Sequence, residues 1–295
     1  MAGFFYFCIM SFDTRLLHLI DEALKEDIGD GDHSTLSCIP RNAKGKAVLK
    51  IKESGILAGL DVAKRIFEHR EPSAAFTPFK KDGDTMVAGE QAFEIKASVY
   101  TILQCERLVL NCMQRMSGIA TLTRSYVDEL KGYRTRLLDT RKTTPNFRLL
   151  EKEAVRVGGA CNHRFGLYDM IMLKDNHIDF CGGIEKAIQR AGDYVKAKKP
   201  GLKIEIETRS MDDVKKVMAS GKGIVFRVLL DNFKPAEIVD ALKIIGGEFE
   251  TEASGGIKLN NIKEYAATDV DYISVGALIH QARSLDLSLK AEIDK

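Results

Sequence analysis

Short apolar runs alternate with helical segments from residue 136 onward, and this alternation constrains the fold more than any other feature. Each run has the length of a buried strand and is followed by a segment with helical periodicity. Repeated β-α units of this kind predict a parallel sheet with right-handed crossovers. The predicted strands are Arg136–Leu138, Met170–Leu173, Lys203–Ile206, Val225–Leu230, Phe249–Glu252 and Asp271–Val275. They are fewer than the eight of a complete (β/α)₈ barrel, so we expect an open, incomplete α/β barrel, with a doubly wound sheet as the alternative.

The first third of the chain has the pattern of a small α+β domain. It contains a predicted helix from Asp13, which can cap it, to about Asp27, a turn at Gly29–Thr35, a strand at Lys46–Lys52, a helix at Leu60–Arg70, and strand-like runs at Ala75–Phe79 and Thr85–Ile95. A helical pattern from Thr101 to Lys131 follows, with a weak point at Gly118. Glu106 and Arg107 lie early in this helix, where the pattern alone favours a solvated pair.

Composition and charge exclude several protein classes. The chain has 295 residues, of which 45% are hydrophobic and 29% charged, as in ordinary globular proteins. A net charge of +2 is too small to indicate a nucleic-acid-binding protein. The six cysteines form no C-x-x-C pair, which favours free thiols in a reducing compartment. No apolar run approaches transmembrane length, so we expect a cytoplasmic protein without membrane contact.

The apolar start of the chain, MAGFFYFCIM, lacks a basic n-region and a cleavage signal. We interpret residues 1–12 as an N-terminal extension, with a signal peptide as the less favoured alternative.

Polar residues follow each predicted strand of the β-α region. They are Thr140-Arg141-Lys142, Lys174-Asp175-Asn176, Glu207, Asp231-Asn232, Ser254-Gly255-Gly256 and Ser274-Val275-Gly276. The carboxyl ends of parallel strands meet at one mouth, where barrel enzymes carry their active sites. The last two segments supply backbone N–H groups after the final strands, which is the usual phosphate site of a barrel.

The charges at these strand ends suit a polyanionic ligand. Arg141, Lys142, His163, Arg164 and Lys174 are positive or can become so, and they suit phosphates and carboxylates. The acids Glu207 and Asp231 suit sugar hydroxyls, a Mg²⁺ ion or a carbocation-like centre, and the pattern alone leaves these three open. Lys174 could instead form a Schiff base, although one such lysine would not need so many cationic neighbours.

An ordered set of motifs resembles the quinolinate phosphoribosyltransferase family. The motifs are EDIGDGDHST (26–35), ERLVLNCMQRMSGIAT (106–121), DTRKTTP (139–145), AVRVGGACNHR (154–164), DMIMLKDNH (169–177), EIET (205–208), LLDN (229–232), EASGGI (252–257) and SVGALIH (274–280). The resemblance covers nearly the whole chain from Asp13. Two departures are Asn146, where the family often has Gly, and Ala160 within a run often written GGG.

The resemblance implies a reaction and a fold. The family converts quinolinate and 5-phosphoribosyl-1-pyrophosphate, with Mg²⁺, into nicotinate mononucleotide, pyrophosphate and CO₂. Its members are homodimers or larger, built from an N-terminal α/β sandwich domain and an open α/β barrel. We therefore expect a sandwich domain at 13–116, completed by the tail 284–295, and a barrel at 117–283.

The resemblance also implies roles for individual residues. Thr140, Arg141, Lys142, His163, Arg164 and Lys174 are expected to hold the substrates, with Lys142 or Lys174 as the proton donor. Glu207 and Asp231 are expected to face the ribose and Mg²⁺. Ser254, Gly255, Gly256, Ser274, Val275 and Gly276 are expected to hold the 5-phosphate. Arg107 is expected to reach the site of a neighbouring subunit.

Three rivals to this function remain open at the level of sequence. The first is a related phosphoribosyltransferase with a different base specificity. The second is a Schiff-base lyase that uses Lys174, and the third is a non-catalytic sensor of phosphoribosyl ligands. The full set of cations favours quinolinate over the first rival, because two carboxylates need more cations than the phosphates alone. The two acids argue against the third, since a binder has no need of carboxylates beside a polyanion.

Overall fold

The computed structural model describes residues 11–292. The described chain forms two compact units: one contains residues 11–121, 144–158 and 282–292, and the other contains 122–143 and 159–281. This division differs from the predicted ranges 13–116 and 117–283 chiefly at 144–158, which returns to the first unit. Ser11 and Phe12 of the predicted extension 1–12 begin the first helix, while its other residues lie outside the described range.

The elements follow one another in this order: α1 (Phe12–Ile28), α2 (His33–Cys38), β1 (Lys44–Ile51), β2 (Gly55–Ile56), α3 (Leu60–Arg70), β3 (Ala75–Pro78), β4 (Thr85–Met86), β5 (Gln91–Ser98), α4 (Val99–Glu129), β6 (Arg136–Leu138), α5 (Arg148–Gly158), β7 (Ile171–Leu173), α6 (Asp175–Cys181), α7 (Ile184–Lys198), β8 (Ile204–Thr208), α8 (Met211–Ser220), β9 (Arg227–Asp231), α9 (Pro235–Ile245), β10 (Glu250–Ser254), α10 (Ile262–Ala266), β11 (Tyr272–Ser274), α11 (Ala277–His280) and β12 (Leu287–Glu292).

The first unit is built on an antiparallel sheet with the strand order β12-β1-β5-β3. The C-terminal strand β12 pairs along β1, with Leu289 opposite Leu49. Phe67 of α3 packs edge-on against Phe93 of β5, and Phe93 stacks on Phe76 of β3 at 4.5 Å between ring centroids. The aromatic contacts and the buried apolar side chains of β1 and β5 form the core of this unit.

Three local predictions for the first unit are wrong. Helix α1 is capped by Ser11, whose hydroxyl accepts from the N–H of Thr14, and not by Asp13. The predicted turn at 29–35 contains the start of α2, which Asp32 caps by accepting from the N–H of Thr35. The predicted strand Thr85–Ile95 is two strands, because Val87 and Glu90 form a turn between β4 and β5.

The second unit contains the predicted parallel sheet, and all six predicted strands are present. Its strand order is β6-β11-β10-β9-β8-β7. Within the described residues, β6 and β7 do not pair with each other, so the sheet is open, as expected for an incomplete barrel. The mixed α/β class and the parallel strands of the second unit are thereby confirmed.

The register of this sheet determines which side chains share a face. Arg227 of β9 lies opposite Glu205 of β8 and Glu250 of β10, and Asp231 lies opposite Ser254. Alternate residues of a strand point to the same face. The acids Glu207 and Asp231 therefore share one face with Glu205 and Arg227, which lie deeper along the same strands.

None of the helices within residues 11–292 is both long and apolar enough to cross a membrane. The cytoplasmic location stays a prediction.

Candidate active site

Two acids lie at the carboxyl ends of neighbouring strands in the second unit. Glu207 of β8 is half-buried and accepts a hydrogen bond from the backbone N–H of Asp175. Burial and the nearby carboxylate of Asp231 raise the pKa of Glu207, and the ammonium group of Lys174 opposes this shift. The two carboxylates thus form a region of negative electrostatic potential, which favours the binding of a cation or of hydroxyl groups that donate hydrogen bonds.

The carboxylate of Asp231 is held in one orientation by its neighbours. Its Oδ1 accepts from the hydroxyl of Ser254 at 2.6 Å, and its Oδ2 accepts from Nδ2 of Asn232 at 2.6 Å. Asn232 has a left-handed backbone, with φ of 59°. Gly255 (φ 91°) makes room for it, since a Cβ at this glycine would lie 2.9 Å from the backbone nitrogen of Asn232 and closer still to its amide.

Two arginines of the predicted set are electrostatic neighbours. Arg164 is buried and donates from Nη1 to the carbonyl of Met170 at 3.1 Å. Burial and the positive charge of Arg141 lower the pKa of Arg164, while Glu205 and Asp169 oppose this effect. Nε of Arg141 is buried and has no hydrogen-bond partner among the described residues. Two neighbouring cations and a buried donor without an acceptor favour the binding of an anion at this place.

Lys142 is exposed and lies at the end of β11 as well as β6. Its backbone N–H donates to the hydroxyl of Thr140 at 3.1 Å. A Cβ at Gly276 would lie 2.9 Å from Cδ of Lys142 and 3.3 Å from Nε2 of His280. The ring of His280, the last residue of the SVGALIH motif, therefore lies beside the same glycine as the predicted substrate-binding lysine.

Lys174 stands immediately before α6 and is exposed. Its backbone N–H donates to Nδ1 of His177 at 3.1 Å, so His177 caps the helix from inside its first turn. This contact fixes the backbone of Lys174 and leaves its ammonium group near Glu207.

The two predicted phosphate loops differ in what they can offer. The hydroxyl of Ser254 is engaged with Asp231, and that of Ser274 is bonded to Glu252. The N–H of Val275 donates to the carbonyl of Leu138. The N–H groups of Gly255 and Gly256 have no acceptor among residues 11–292. These two amides are therefore the donors that suit a phosphate best.

His163 lies in a buried layer of charges below the strand ends. Its Nε2 is 2.8 Å from Oε2 of Glu205 and 3.4 Å from Oε2 of Glu252. Nη1 of Arg227 donates to the same Glu252 oxygen at 3.0 Å, and its Nη2 donates to Glu250 at 2.8 Å. The ligand atoms of the histidine and the two buried acids lie within 4.8 Å of one another, but Arg227 already neutralises part of their charge. This layer is an ion-pair network and not a metal site.

Charge coupling in this layer changes two pKa values. Burial and the charge of Glu252 raise the pKa of Glu205 to about 7. Burial acts to lower the pKa of His163, but its contacts with Glu205 and Glu252 prevail and raise it to about 9. The backbone N–H of Arg164 opposes protonation of the ring, because it donates to Nδ1 at 2.7 Å.

Arg107 belongs to the first unit, where its side chain is exposed on α4. The other predicted site residues, from Thr140 to Gly276, all belong to the second unit.

Glu205 and Glu252 lie within motifs of the family resemblance, but no role was predicted for them or for Arg227. A signal for them was present, because Ile204-Glu205-Ile206-Glu207 alternates and places both glutamates on one face of β8. The same spacing relates Glu252 to Ser254. We weighed only the residues at the strand ends, and the acids two positions earlier were therefore overlooked.

Comparison with protein families gives a match over most of the chain. Residues 32–117 match the model of the quinolinate phosphoribosyl transferase N-terminal domain, and residues 119–290 match that of the C-terminal domain.

Similar proteins carry two related names. A chloroplastic nicotinate-nucleotide pyrophosphorylase [carboxylating] of Oryza sativa subsp. japonica is 40% identical over 289 residues, covering 94% of this chain and 77% of that protein. A probable nicotinate-nucleotide pyrophosphorylase [carboxylating] of Bacillus subtilis is 40% identical over 279 residues, covering 93% of both chains. The crystal structure of NadC from Streptococcus pyogenes has a TM-score of 0.87 at 41% identity, covering 94% of this chain and 96% of that one.

Proposed function

Because the chain belongs to the quinolinate phosphoribosyltransferase family, we propose that it transfers the phosphoribosyl group of 5-phosphoribosyl-1-pyrophosphate to quinolinate. The ring nitrogen of quinolinate forms a bond to C1 of the ribose, and the C1–pyrophosphate bond breaks. The C2 carboxylate then leaves as CO₂, and a proton takes its place. The products are nicotinate mononucleotide, pyrophosphate and CO₂, a step of de novo NAD biosynthesis.

The pairing of Arg141 with Arg164 is the observation that carries this proposal. The two positive charges repel each other, and the buried Nε of Arg141 has no partner among the described residues. Neighbouring carboxylates on one aromatic ring would neutralise both cations and satisfy this donor. A single carboxylate would leave one cation uncompensated, so the arrangement favours quinolinate over nicotinate.

The 5-phosphate of 5-phosphoribosyl-1-pyrophosphate fits the segments that follow β10 and β11. The amides of Gly255 and Gly256 are directed donors, and Lys142 supplies a positive charge over Gly276. His280 lies beside this lysine and adds a further donor for a phosphate. Binding the 5-phosphate here orients the ribose so that C1 lies toward the strand ends of β8 and β9.

Glu207 and Asp231 face the ribose and a divalent cation in this proposal. Two neighbouring carboxylates, of which Glu207 has a pKa raised by burial and by Asp231, are a donor set that suits Mg²⁺, directly or through water. When bound, Mg²⁺ supplies charge neutralisation for the departing pyrophosphate. The acids themselves stabilise the positive charge that develops at C1 when the leaving group departs.

A lysine of the site acts as a proton donor after the glycosidic bond forms. The quaternised ring nitrogen stabilises the carbanion left by CO₂, and a lysine then delivers the proton to C2. Lys142 and Lys174 both lie at strand ends of the same sheet and remain alternative donors.

The partner predicted from the sequence is a second copy of the chain. In a homodimer or larger assembly, the exposed Arg107 on α4 would extend into the site of the neighbouring subunit. Mixing an Arg107→Ala protein with an Arg141→Ala protein tests this, because hybrid dimers would regain one complete site. Failure to regain activity in proven hybrids would contradict a shared site.

A coupled assay tests the reaction directly. Purified protein is incubated with Mg²⁺, 5-phosphoribosyl-1-pyrophosphate and either quinolinate or nicotinate, and CO₂ and nicotinate mononucleotide are measured. Product from quinolinate alone is the expected result. Product from nicotinate alone, or borohydride trapping of a Schiff base on Lys174, would replace the proposed function with one of its rivals.

A further inference from the structure

Asn232 follows β9 at the mouth of the sheet, and its backbone conformation is uncommon for a residue with a side chain. Its φ of 59° lies in the left-handed region, which disfavours most residues other than glycine and is tolerated best by asparagine and aspartate. A conformation of this kind persists only where surrounding contacts hold it. The contacts of Asn232 therefore indicate which neighbours the conformation serves.

The backbone of Asn232 connects the ends of two neighbouring strands. Asp231 of β9 lies opposite Ser254 of β10 in the last register pair of these strands. The N–H of Asn232 donates to the carbonyl of Ser254 at 2.8 Å. Since Gly255 follows Ser254 directly, this hydrogen bond carries the pairing of the two strands to the start of the glycine segment.

The side chain of Asn232 holds the carboxylate of Asp231. Its Nδ2 donates to Oδ2 at 2.6 Å, while the hydroxyl of Ser254 donates to Oδ1 at 2.6 Å. The amide must present its nitrogen to the acid, because its carbonyl oxygen would repel a carboxylate. With one donor on each oxygen, the plane of the carboxylate is fixed before a ligand binds, and each oxygen keeps acceptor capacity for that ligand.

The other end of the same amide lies against Gly255. A Cβ built on this glycine would be 2.6 Å from Cγ of Asn232 and closer still to Oδ1. Glycine has the widest conformational range of all residues, and Gly255 has a φ of 91°. The amide of Asn232 occupies the space on one side of this glycine and so limits how its backbone can turn. The N–H groups of Gly255 and Gly256, which have no acceptor within the described range, thereby keep one direction.

We propose that Asn232 is a positioning residue, which holds the carboxylate of Asp231 and the amides of Gly255 and Gly256 in one fixed arrangement. The inference rests on the proposed function, in which the acid faces the ribose and the amides bind the 5-phosphate. Both groups then contact one substrate, 5-phosphoribosyl-1-pyrophosphate. Quinolinate is assigned to the two arginines, which Asn232 does not contact, so the role of Asn232 is specific to the phosphoribosyl substrate.

A fixed spacing between acid and amides matters because the ligand is itself a short covalent unit. The ribose hydroxyls and the 5-phosphate are joined through a few bonds, so a site that binds both must hold its two sets of partners at a matching distance. The amide of Asn232 contacts both sets at once. A shift of either set would weaken binding and would also misplace C1 of the ribose for the attack by the ring nitrogen.

Asn232→Gly separates the side chain from the backbone conformation. Glycine adopts the left-handed conformation without steric cost, so the substitution removes the amide and leaves the path of the chain. It should raise the dissociation constant and the KM for 5-phosphoribosyl-1-pyrophosphate about tenfold, as is typical for loss of a residue that orients a ligand-binding group. The KM for quinolinate should stay within about twofold. A residue needed only for its conformation would show no loss for either substrate.

Asn232→Asp keeps the shape of the side chain and its tolerance of the left-handed conformation. It replaces the donor to Asp231 with a second carboxylate, which repels both Asp231 and a phosphate bound at Gly255. The variant should therefore bind 5-phosphoribosyl-1-pyrophosphate more weakly than Asn232→Gly does. Unchanged binding by Asn232→Asp would contradict the proposal, and this variant decides the question if Asn232→Gly does not fold.

Asn146→Gly is the matched control, because Asn146 has nearly the same backbone conformation, with φ of 61°. It belongs to the first unit, whereas Asn232 belongs to the second. The same substitution at this position should leave both KM values within about twofold. The Tm of each glycine variant should lie within about 2 °C of the wild-type value, which shows that a loss of binding is not a loss of fold.

Titration calorimetry with 5-phosphoribosyl-1-pyrophosphate and Mg²⁺, without a base, gives the dissociation constants, and steady-state kinetics gives the two KM values. An equal effect of Asn232→Gly on both substrates, or equal effects of Asn232→Gly and Asn146→Gly, would overturn the positioning role while the proposed function stands. If the wild-type protein binds 5-phosphoribosyl-1-pyrophosphate but does not turn over quinolinate, the proposed function fails instead. The calorimetric comparison of the variants then still decides the role of Asn232.

Discussion

Lys142 lies directly over Gly276, so that a Cβ built on the glycine would be 2.9 Å from Cδ of the lysine. The contact joins the segment after β6 to the segment after β11, which are neighbouring strands of the sheet. Gly276 has an ordinary backbone, with φ of −67°, so it is required here for space and not for conformation.

Gly276→Ala should therefore impair binding of the phosphate substrate without unfolding the protein. The added methyl group must displace Lys142 or His280, and a shift of this size at a binding group costs about tenfold or more in KM for 5-phosphoribosyl-1-pyrophosphate. Steady-state kinetics and thermal unfolding would measure both effects. Gly192→Ala, on α7, is the matched control. The added Cβ would likewise be crowded, because it would lie 3.0 Å from Cγ2 of Ile224. An equal effect of both variants on KM would contradict the role of Gly276.

Arg141→Ala should reduce transition-state binding by roughly 3 kcal/mol, about a hundredfold in kcat/KM, because a substrate carboxylate or phosphate would lose its charged partner. Removing one of two repelling cations should also leave the free protein as stable as before, or slightly more so. Arg209→Ala is the control, because Arg209 pairs with Asp179 at an exposed position. Near-normal turnover of folded Arg141→Ala protein would remove this residue from the site.

The β-α rhythm predicted the parallel sheet well because each buried strand is a short apolar run with a polar end. The first unit was harder to predict. The run Thr85–Ile95 contains a turn at Val87–Glu90 that is closed by a side chain, and local composition does not reveal it. The cap of α1 was missed because Ser11 and Asp13 are both good capping residues.

Long-range contacts were beyond prediction from local patterns. Gly118 was expected to weaken α4, yet the helix is continuous, and the glycine makes room for the carbonyl of Arg283. Residues 144–158 return to the first unit, where Glu151 is buried and binds Arg115. Of the candidate site, the strand-end residues were found, whereas the contact between Lys142 and Gly276 and the acids below His163 required the sheet register.

Glu151→Gln should lower the free energy of unfolding by about 3 kcal/mol, as is typical when one partner of a buried ion pair is removed. Glu151 accepts from Nε and Nη2 of Arg115 and from the N–H and hydroxyl of Thr144. Urea unfolding would measure the loss. Glu153→Gln, two residues along and paired with the exposed Arg156, should cost less than about 1 kcal/mol. Equal losses for both variants would show that burial does not set the strength of the Glu151 pair.

Glu207→Gln should separate stability from activity, because the pKa of Glu207 is raised by burial and by Asp231. A carboxyl group whose pKa is higher in the folded state favours folding while it is protonated. Its contribution is complete below the unfolded pKa, near 4.5, and is lost as the pH rises through the higher folded pKa. At pH 7 the ionised group therefore destabilises the free protein, and the glutamine should remove this penalty.

We expect the Tm of Glu207→Gln to exceed that of the wild-type protein by about 2 °C at pH 7, a modest gain because the group is only half-buried. The difference should vanish near pH 4, where Glu207 is protonated in both states, and kcat should fall by about a hundredfold at neutral pH because a charge opposite the ribose is lost. Differential scanning calorimetry at both pH values gives the comparison, with Glu185→Gln on the exposed face of α7 as the control. A Tm that falls at pH 7 would contradict this prediction. It would mean that the attraction of ionised Glu207 to Lys174 and to the N–H of Asp175 outweighs the cost of its burial and its repulsion by Asp231.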